Sequence, residues 1–310
     1  MKQSFINKTH IEGYVYEHKL EEKVSGPTSK NPGTKFISGE LKIATDNACI
    51  NVVSVHFTYV TETTKNGGTN ATYVNLKSII DGTAKTVMKD GKDAAAKVRI
   101  DSALNLNEFY STRNGKEELV STKRNEGGFV HFVDALMEDE KQRNTFDVDI
   151  LITGVTRLEA NEERNIPEKV IVKGAIFDFR KALLPVEFTA LNAGAMDYFE
   201  GLEATSKNPV FTHIWGRQVS ETVTNTITEE SAFGDARVRT VTNSRKDFVI
   251  TGANPDPYPW DDEGTITEAD VVKMIADRET YLATIKQRQA EYQASKNQTV
   301  TAPAAGQFNF

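Results

Sequence analysis

The feature that most restricts the fold is a period-two alternation of apolar and polar residues, together with the order in which it recurs. Lys35 to Ala44 sets Ile37, Gly39, Leu41 and Ile43 against Ser38, Glu40 and Lys42, and Asn51 to Val60 puts Val53, Val55, Phe57 and Tyr59 on one face. Successive strand side chains point to opposite faces, so this pattern predicts strands with one buried side. Thr9 to His18, rich in aromatic and β-branched residues, predicts a strand before them. Tyr73, Leu76, Ile79 and Ile80 then recur at helical spacing. Val98 to Leu106 and Leu119 to Val133 predict two more strands, separated by the Asn114-Gly115 turn. Gly127-Gly128 marks a bulge or kink in the second.

The same order of elements returns in the second half. Phe146 to Val155, Val170 to Phe179 and Leu183 to Leu191 predict strands. Ala193 to Leu202 is a short amphipathic segment, and Val210 to Gln218 is strand again. A Thr/Val-rich hairpin has arms Arg217 to Thr228 and Arg237 to Ile250, with Phe233-Gly234-Asp235 near its tip. The repeat lies in element order, not in residue identity. Gly82 to Lys97 reads as a solvated helix or a loop.

Gly252, Pro255, Pro257 and Pro259 predict a linker over 252–264. Thr265-Ile266-Thr267-Glu268 has capping-box spacing, which starts a helix that runs to about residue 295. Val271, Ile275, Arg278, Leu282, Ile285 and Tyr292 form its narrow stripe. Such a stripe suits packing on the chain's own sheets, oligomerisation, or a partner's groove. Residues 296–310 read as a flexible tail.

Composition excludes several classes. A chain of 310 residues with 38% hydrophobic and 26% charged residues can bury two ordinary cores and is not disordered throughout. No apolar run approaches the roughly 20 residues that span a bilayer, and the first residues lack a signal-peptide core. The single cysteine, Cys49, cannot form an internal disulfide and reads as a small buried hydrophobe, pointing to a reducing cytoplasm. The net charge is −7, and the part from Pro255 onward carries nine acidic and five basic residues. His10, His18, His56, His131 and His213 are scattered without metal-ligand spacing. Neither a phosphate-cradling Gly-Lys-Ser/Thr loop nor a Gly-x-Ser-x-Gly elbow occurs. Asp261-Asp262-Glu263 lacks the alternation of a calcium loop. The expectation is a protein that is not an enzyme and takes no cofactor or metal.

Five strands with a helix between the third and fourth is the order of the oligonucleotide-binding (OB) barrel. In that order the chain resembles tandem OB-fold single-stranded DNA-binding proteins of the bacteriophage single-strand binding and replication protein A kind, over roughly residues 9–250. The resemblance implies a mainly β fold of two tandem five-stranded barrels, 9–136 and 145–251, followed by a C-terminal α-helix. It implies single-stranded DNA as partner, in phage DNA replication or recombination. Replication or recombination proteins would be met through the C-terminal helix and acidic linker, and a homo-oligomer is left open. The acid here lies around Asp256 to Glu279, whereas related tails end in a dense acidic run.

Such a site needs flat rings for bases and cations for phosphates, placed on strands two and three and the one–two and four–five loops. In the second unit the candidates are Phe177, Phe179 and Lys173 on one strand face, and His213, Trp215 and Arg217 on another. The hairpin adds Arg237, Arg239, Arg245 and Lys246. In the first unit they are Phe36, Lys42, His56 and Arg99, with Arg113 and Lys116 in the loop between strands four and five. Trp215 beside Arg217 suits both stacking and phosphate contact. Small barrels also bury aromatic rings as core. The competing reading is a β-sandwich virion or tail structural protein, for which Thr- and Asn-rich strands such as Thr222 to Thr228 are common.

Overall fold

Alternation, capping and glycine placement turn these segments into fourteen elements. The computed structural model describes residues 4–113, 116–161, 167–229, 233–234, 237–260 and 265–299, and excludes the side chains of 112–113, 221–229, 237, 239–245 and 295–299. In chain order the elements are β1 (Asn7–Val24), β2 (Lys35–Ala44), β3 (Val52–Thr61), α1 (Ala71–Ile80), the single turn α2 (Val87–Asp90), β4 (Lys97–Arg113) and β5 (Lys116–Phe132). Then come β6 (Asn144–Leu158), β7 (Lys169–Phe177), β8 (Leu183–Ala190), α3 (Ala193–Gly201), β9 (Val210–Glu229), β10 (Arg237–Ala253) and α4 (Glu268–Thr299). The fold is mainly β with a long C-terminal helix.

Local chemistry explains the short helices. The Asn70 side chain accepts from the Thr72 amide at the start of α1, which buries Tyr73, Leu76 and Ile79. Asn192 does the same for Ala195 at the start of α3, which buries Met196 and Phe199. Gly127-Gly128 forms the expected bulge: the β4–β5 register steps from Asp101↔Phe129 to Ala103↔Glu126. Gly128 has φ +107°, and a Cβ there would lie 2.3 Å from the Asp101 carbonyl oxygen, so only glycine fits.

All ten strands belong to one hydrogen-bonded sheet, in the order β2-β3-β5-β4-β1-β6-β7-β8-β10-β9. The two expected units are therefore joined in one sheet and are not laid end to end as separate sheets. The halves are joined because β1 pairs with β6, from Asn7↔Val148 to Ile11↔Asn144. Within the sheet, the pairings of each half return to its first strand. In the first half β1 meets both β2 and β4, while β3 and β5 pair in parallel. In the second half β6 meets both β7 and β9, while β8 and β10 pair in parallel. A bulge interrupts the first strand of each ring, at Val15/Glu17 and at Ile152/Gly154.

Side-chain amides fasten the junction. Asn7 Nδ2 donates to the carbonyls of Leu104 and Phe177, each at 2.9 Å, and its Oδ1 accepts from Leu104 N. Asn125 and Gln218 exchange two buried hydrogen bonds, of 2.8 and 2.9 Å, between the halves. Asn51 and Asn144 both donate to the Gln218 carbonyl. Apolar packing follows the same plan. One core lies inside the first ring around Leu41, Val55, Leu76 and Ile100. Leu104 and Leu106 of β4 leave that core and join the second, around Phe146, Val172, Phe188 and Phe199.

Of the segment read as a linker, residues 252–260 are tied down, and 261–264 lie outside the described residues. β10 runs to Ala253, Tyr258 N donates to Phe211 O, and Trp260 Nε1 donates to Pro209 O. The helix cap sits two residues beyond the expected box. Thr267 Oγ1 accepts from Asp270 N, and Asp270 Oδ2 accepts from Thr267 N. After the capping Asp270, the residues of α4 withdrawn from solvent are Val271, Met274, Arg278, Leu282, Ile285 and Gln289. Ile275 and Tyr292 are exposed, so Met274 replaces Ile275 in the stripe. The helix therefore packs on its own sheet, over a third cluster that contains Phe177, Phe211, Ile266 and Met274.

The helix is locked by charge. Arg278 Nη2 lies 2.6 Å from Glu108 Oε1, and Nη1 also donates to Leu183 O. The Glu108 side chain is only 1% exposed. Removing the guanidinium leaves a buried carboxylate without a counterion, so Arg278→Ala is expected to destabilise the protein by about 3–5 kcal/mol. Replacing both partners by apolar residues, Glu108→Leu with Arg278→Met, is expected to recover most of that loss. Denaturant midpoints of the two variants check this.

Candidate nucleic-acid interface

The outer face of β2, β3 and β5 carries alternating polar side chains, with register pairs Glu40↔His56, Lys42↔Ser54 and His56↔Glu126. Its cations are partnered. Lys42 Nζ is 2.5 Å from Glu17 Oε1, and this hydrogen bond raises the lysine's pKa and lowers the carboxyl's. Arg124 Nη2 is 3.0 Å from Glu126. His56 lies 3.9 Å from Glu40, yet burial holds its pKa below the usual value, which favours a neutral ring at pH 7. At the far end Phe36 and Tyr59 pack with centroids 4.5 Å apart, and the Tyr59 hydroxyl meets Ser25. Tyr59 was expected on the buried face; the alternation breaks after Phe57 and leaves it on the surface.

This face ends in a cleft of about 290 Å³ between the halves. One wall is Glu40, Ser54, His56, Lys123 and Arg124; the other is Val219, Ser220, Lys246, Asp247 and Phe248; Asn125 and Gln218 also line it. Lys246 is exposed and has no carboxylate partner among the described residues. Lys123 spans the halves. Its ammonium lies 4.0 Å from the Phe248 ring centroid and 4.6 Å from that of Phe188, and it donates to the Glu187 carbonyl. Burial pushes its pKa down to about 7, against the pull of Glu187 and Asp247.

A second surface crosses both halves on β5, β4, β1, β6 and β9. Register places Phe129, Asp101, His10, Thr145 and Arg217 in one row. Lys8, Asp147, Trp215 and Gly252 form the next. Arg99 Nε lies 3.5 Å from Asp101 and shares that carboxylate with His10, 2.9 Å away. Trp215 is 41% exposed and Phe129 70%.

The predicted residues thus separate. Lys42, His56, Phe36 and Lys246 lie along the first face and its cleft, whereas Trp215, Arg217, His213 and Arg99 share the second surface. Phe177 is core, not platform: it is fully buried, stacked on Phe5 at 3.9 Å and edge-on to Phe211, because β7 turns this position under α4. Phe179 stands apart from Phe177 in the β7–β8 turn, 89% exposed beneath Arg180. Lys173 pairs with Glu187 at 3.6 Å. His213 is held between Asp147 and Asp149, at 2.6 and 3.0 Å, and is not free to meet a phosphate. Lys116 is exposed at the start of β5. The side chains of Arg113, Arg237, Arg239 and Arg245 lie outside the described residues. Lys123, Arg124 and Phe129 were missed. Adjacent Lys123 and Arg124 inside a strand carried a signal, since period two sends one to each face and neither face is then plain core.

The fold and this cleft define a class: a mainly β protein whose two five-stranded rings, fused in one sheet and braced by a terminal helix, hold a groove of mixed polar and apolar lining between them. A family model, YorF, matches residues 6–288, and the chain belongs to the YorF family. No curated protein matches it. Among solved structures, a deletion mutant of the single-stranded DNA binding protein from Thermus aquaticus matches with a TM-score of 0.42 and 8% identity, over 82% of this chain and 97% of that one.

Lys123 sets a pH dependence. Its folded pKa of about 7 lies below the unfolded value of about 10.4, so between them the unfolded chain holds more protons and stability rises with pH. Lys123→Met removes that rise. The stability of wild type relative to this variant is expected to climb from pH 7 to pH 9.5 by at most about 1.4 kcal/mol per pH unit, measured from urea unfolding.

Proposed function

We propose that the chain is a non-enzymatic single-stranded DNA-binding protein of a phage-type replication or recombination system, built of two OB-fold-like barrels over 9–136 and 145–251. The ring order carries this reading. In each half the first strand meets the second and the fourth, the third runs parallel to the fifth, and a helix follows the third. That is the OB order, in which strands two and three and the four–five loop take an oligonucleotide. Here the corresponding face of the first ring leads into a cleft whose far wall is the four–five hairpin of the second.

A strand on this path would pass Phe36 and Tyr59, then His56, and place phosphates near Arg124 and Lys246. Glu17 and Glu126 already engage Lys42 and Arg124, so phosphates must compete with them. Binding should therefore be moderate and sensitive to salt. The outer side of α4, where Val272, Ile275 and Tyr281 are exposed, is where replication or recombination proteins would meet it.

Fluorescence anisotropy of labelled dT oligomers tests the reading. Binding is expected at low salt, with at least a tenfold loss at high salt, and Lys246→Glu and Arg124→Glu should each weaken it several-fold. No anisotropy change at low salt overturns the proposal, and a stable homo-oligomer in that sample would favour a structural protein instead.

A further inference from the structure

We infer that Trp215, with Arg217 beside it, is a second contact zone for unpaired nucleobases, reached when a strand leaves the cleft along β9 and turns onto the surface shared by both halves. The inference rests on the reading above and extends its footprint.

The ring of Trp215 is fixed flat. A Cβ at Gly252 would fall 2.3–2.4 Å from three atoms of the indole, so the ring lies against the bare backbone of β10. The β9–β10 register slips at this point, between Ile250 and Gly252. One side of the indole rests on the sheet and the other side looks outward. His213, with its centroid 5.9 Å away, supports one edge and is itself clamped by Asp147 and Asp149. An exposed tryptophan held this way loses little further freedom when a base stacks on it.

Charge favours the same ligand. Asp147 is engaged by His213, and Asp101 by His10 and Arg99. Arg217 and Lys8 have no carboxylate partner among the described residues. Arg217 lies two positions along β9 from Trp215, which places a cation on the same strand face as the ring. The zone is continuous with the cleft: Gln218, Val219 and Ser220 line the cleft and follow Arg217 directly. From Ser220 to Trp215 the strand spans roughly 17 Å at about 3.3 Å per residue, a length that a few nucleotides cover.

Trp260→Phe leaves Trp215 as the sole tryptophan of the two. That variant is titrated with dT oligomers of about 4 to about 16 nucleotides, the range of site sizes for one such barrel. Anisotropy of the labelled oligomer reports binding, and tryptophan emission reports the platform. Emission should be quenched once an oligomer is long enough to leave the cleft. Trp215→Ala should weaken the long oligomers about ten- to a hundredfold and leave the shortest unchanged, which also shows that the variant is folded. Gly252→Ala keeps the tryptophan but displaces its ring, and should reproduce the loss. Full binding with unchanged emission at every length, or wild-type affinity for long oligomers in Trp215→Ala, overturns the inference. Absence of binding at every length overturns the underlying reading and this inference with it.

Discussion

The architecture depends on how β1 uses its two edges. A strand backbone has only two rows of hydrogen-bonding groups. Tyr14 to Val24 gives one edge to β2, while Thr9 to Tyr14 pairs with β4 and Asn7 to Ile11 pairs with β6. The lower part of β1 is therefore committed on both sides, once to its own ring and once to the next. The bulge at Val15/Glu17 bends the strand where it changes partners. The side-chain amides of Asn7, Asn51 and Asn144 then satisfy backbone groups that the irregular junction leaves open. Because this union is made of backbone pairing and buried amides, the cleft has walls with a set separation instead of a flexible gap between beads.

Charge on this molecule is distributed as pairs. Lys42 with Glu17 and Arg124 with Glu126 cancel locally, and Arg157 is shared by Glu168 and Glu200. Surface pairs of this kind add little stability. Their larger effect is on the field: a net charge of −7 is spread with few strong patches. Lys246, Arg217 and Lys8 are among the cations with no carboxylate partner among the described residues, and they lie near exposed or partly exposed rings. Any polyanion that settles here meets a few uncompensated cations beside rings, which differs from the broad basic track of a duplex-binding protein.

Much of the fold was legible because periodicity reports burial directly. Val53, Val55 and Phe57 alternate and lie inside the first ring; Tyr73, Leu76 and Ile79 repeat at helical spacing and cap it. Gly127-Gly128 announced its bulge. The fusion of the rings was not legible, since the β1–β6 pairing is made of backbone groups that every residue carries. The helical stripe was misplaced by one position because Met274 and Ile275 are equally apolar, and only the direction of the docked sheet selects between them. The site was harder still. Phe177 and Phe179 look alike in sequence, two apart on one face, yet the strand ends between them: one is sealed under α4 and the other stands in a turn. Lys123 was not singled out because its burial is supplied by Phe188 and Phe248 of the other half.

The pairing of Glu108 with Arg278 has a consequence for biosynthesis. The partners are 170 positions apart, and Leu104 and Leu106 on the same strand find their apolar cover in segments translated after them. A nascent chain emerging from the ribosome therefore presents this hairpin with two leucines and a carboxylate still in water. The leucines stay there until the second ring is made, and the carboxylate until the closing helix clears the exit tunnel. Maturation runs backwards along the polypeptide: the region made early is completed by the region made late, and a half-length product would display a sticky, unfinished ribbon to chaperones and proteases.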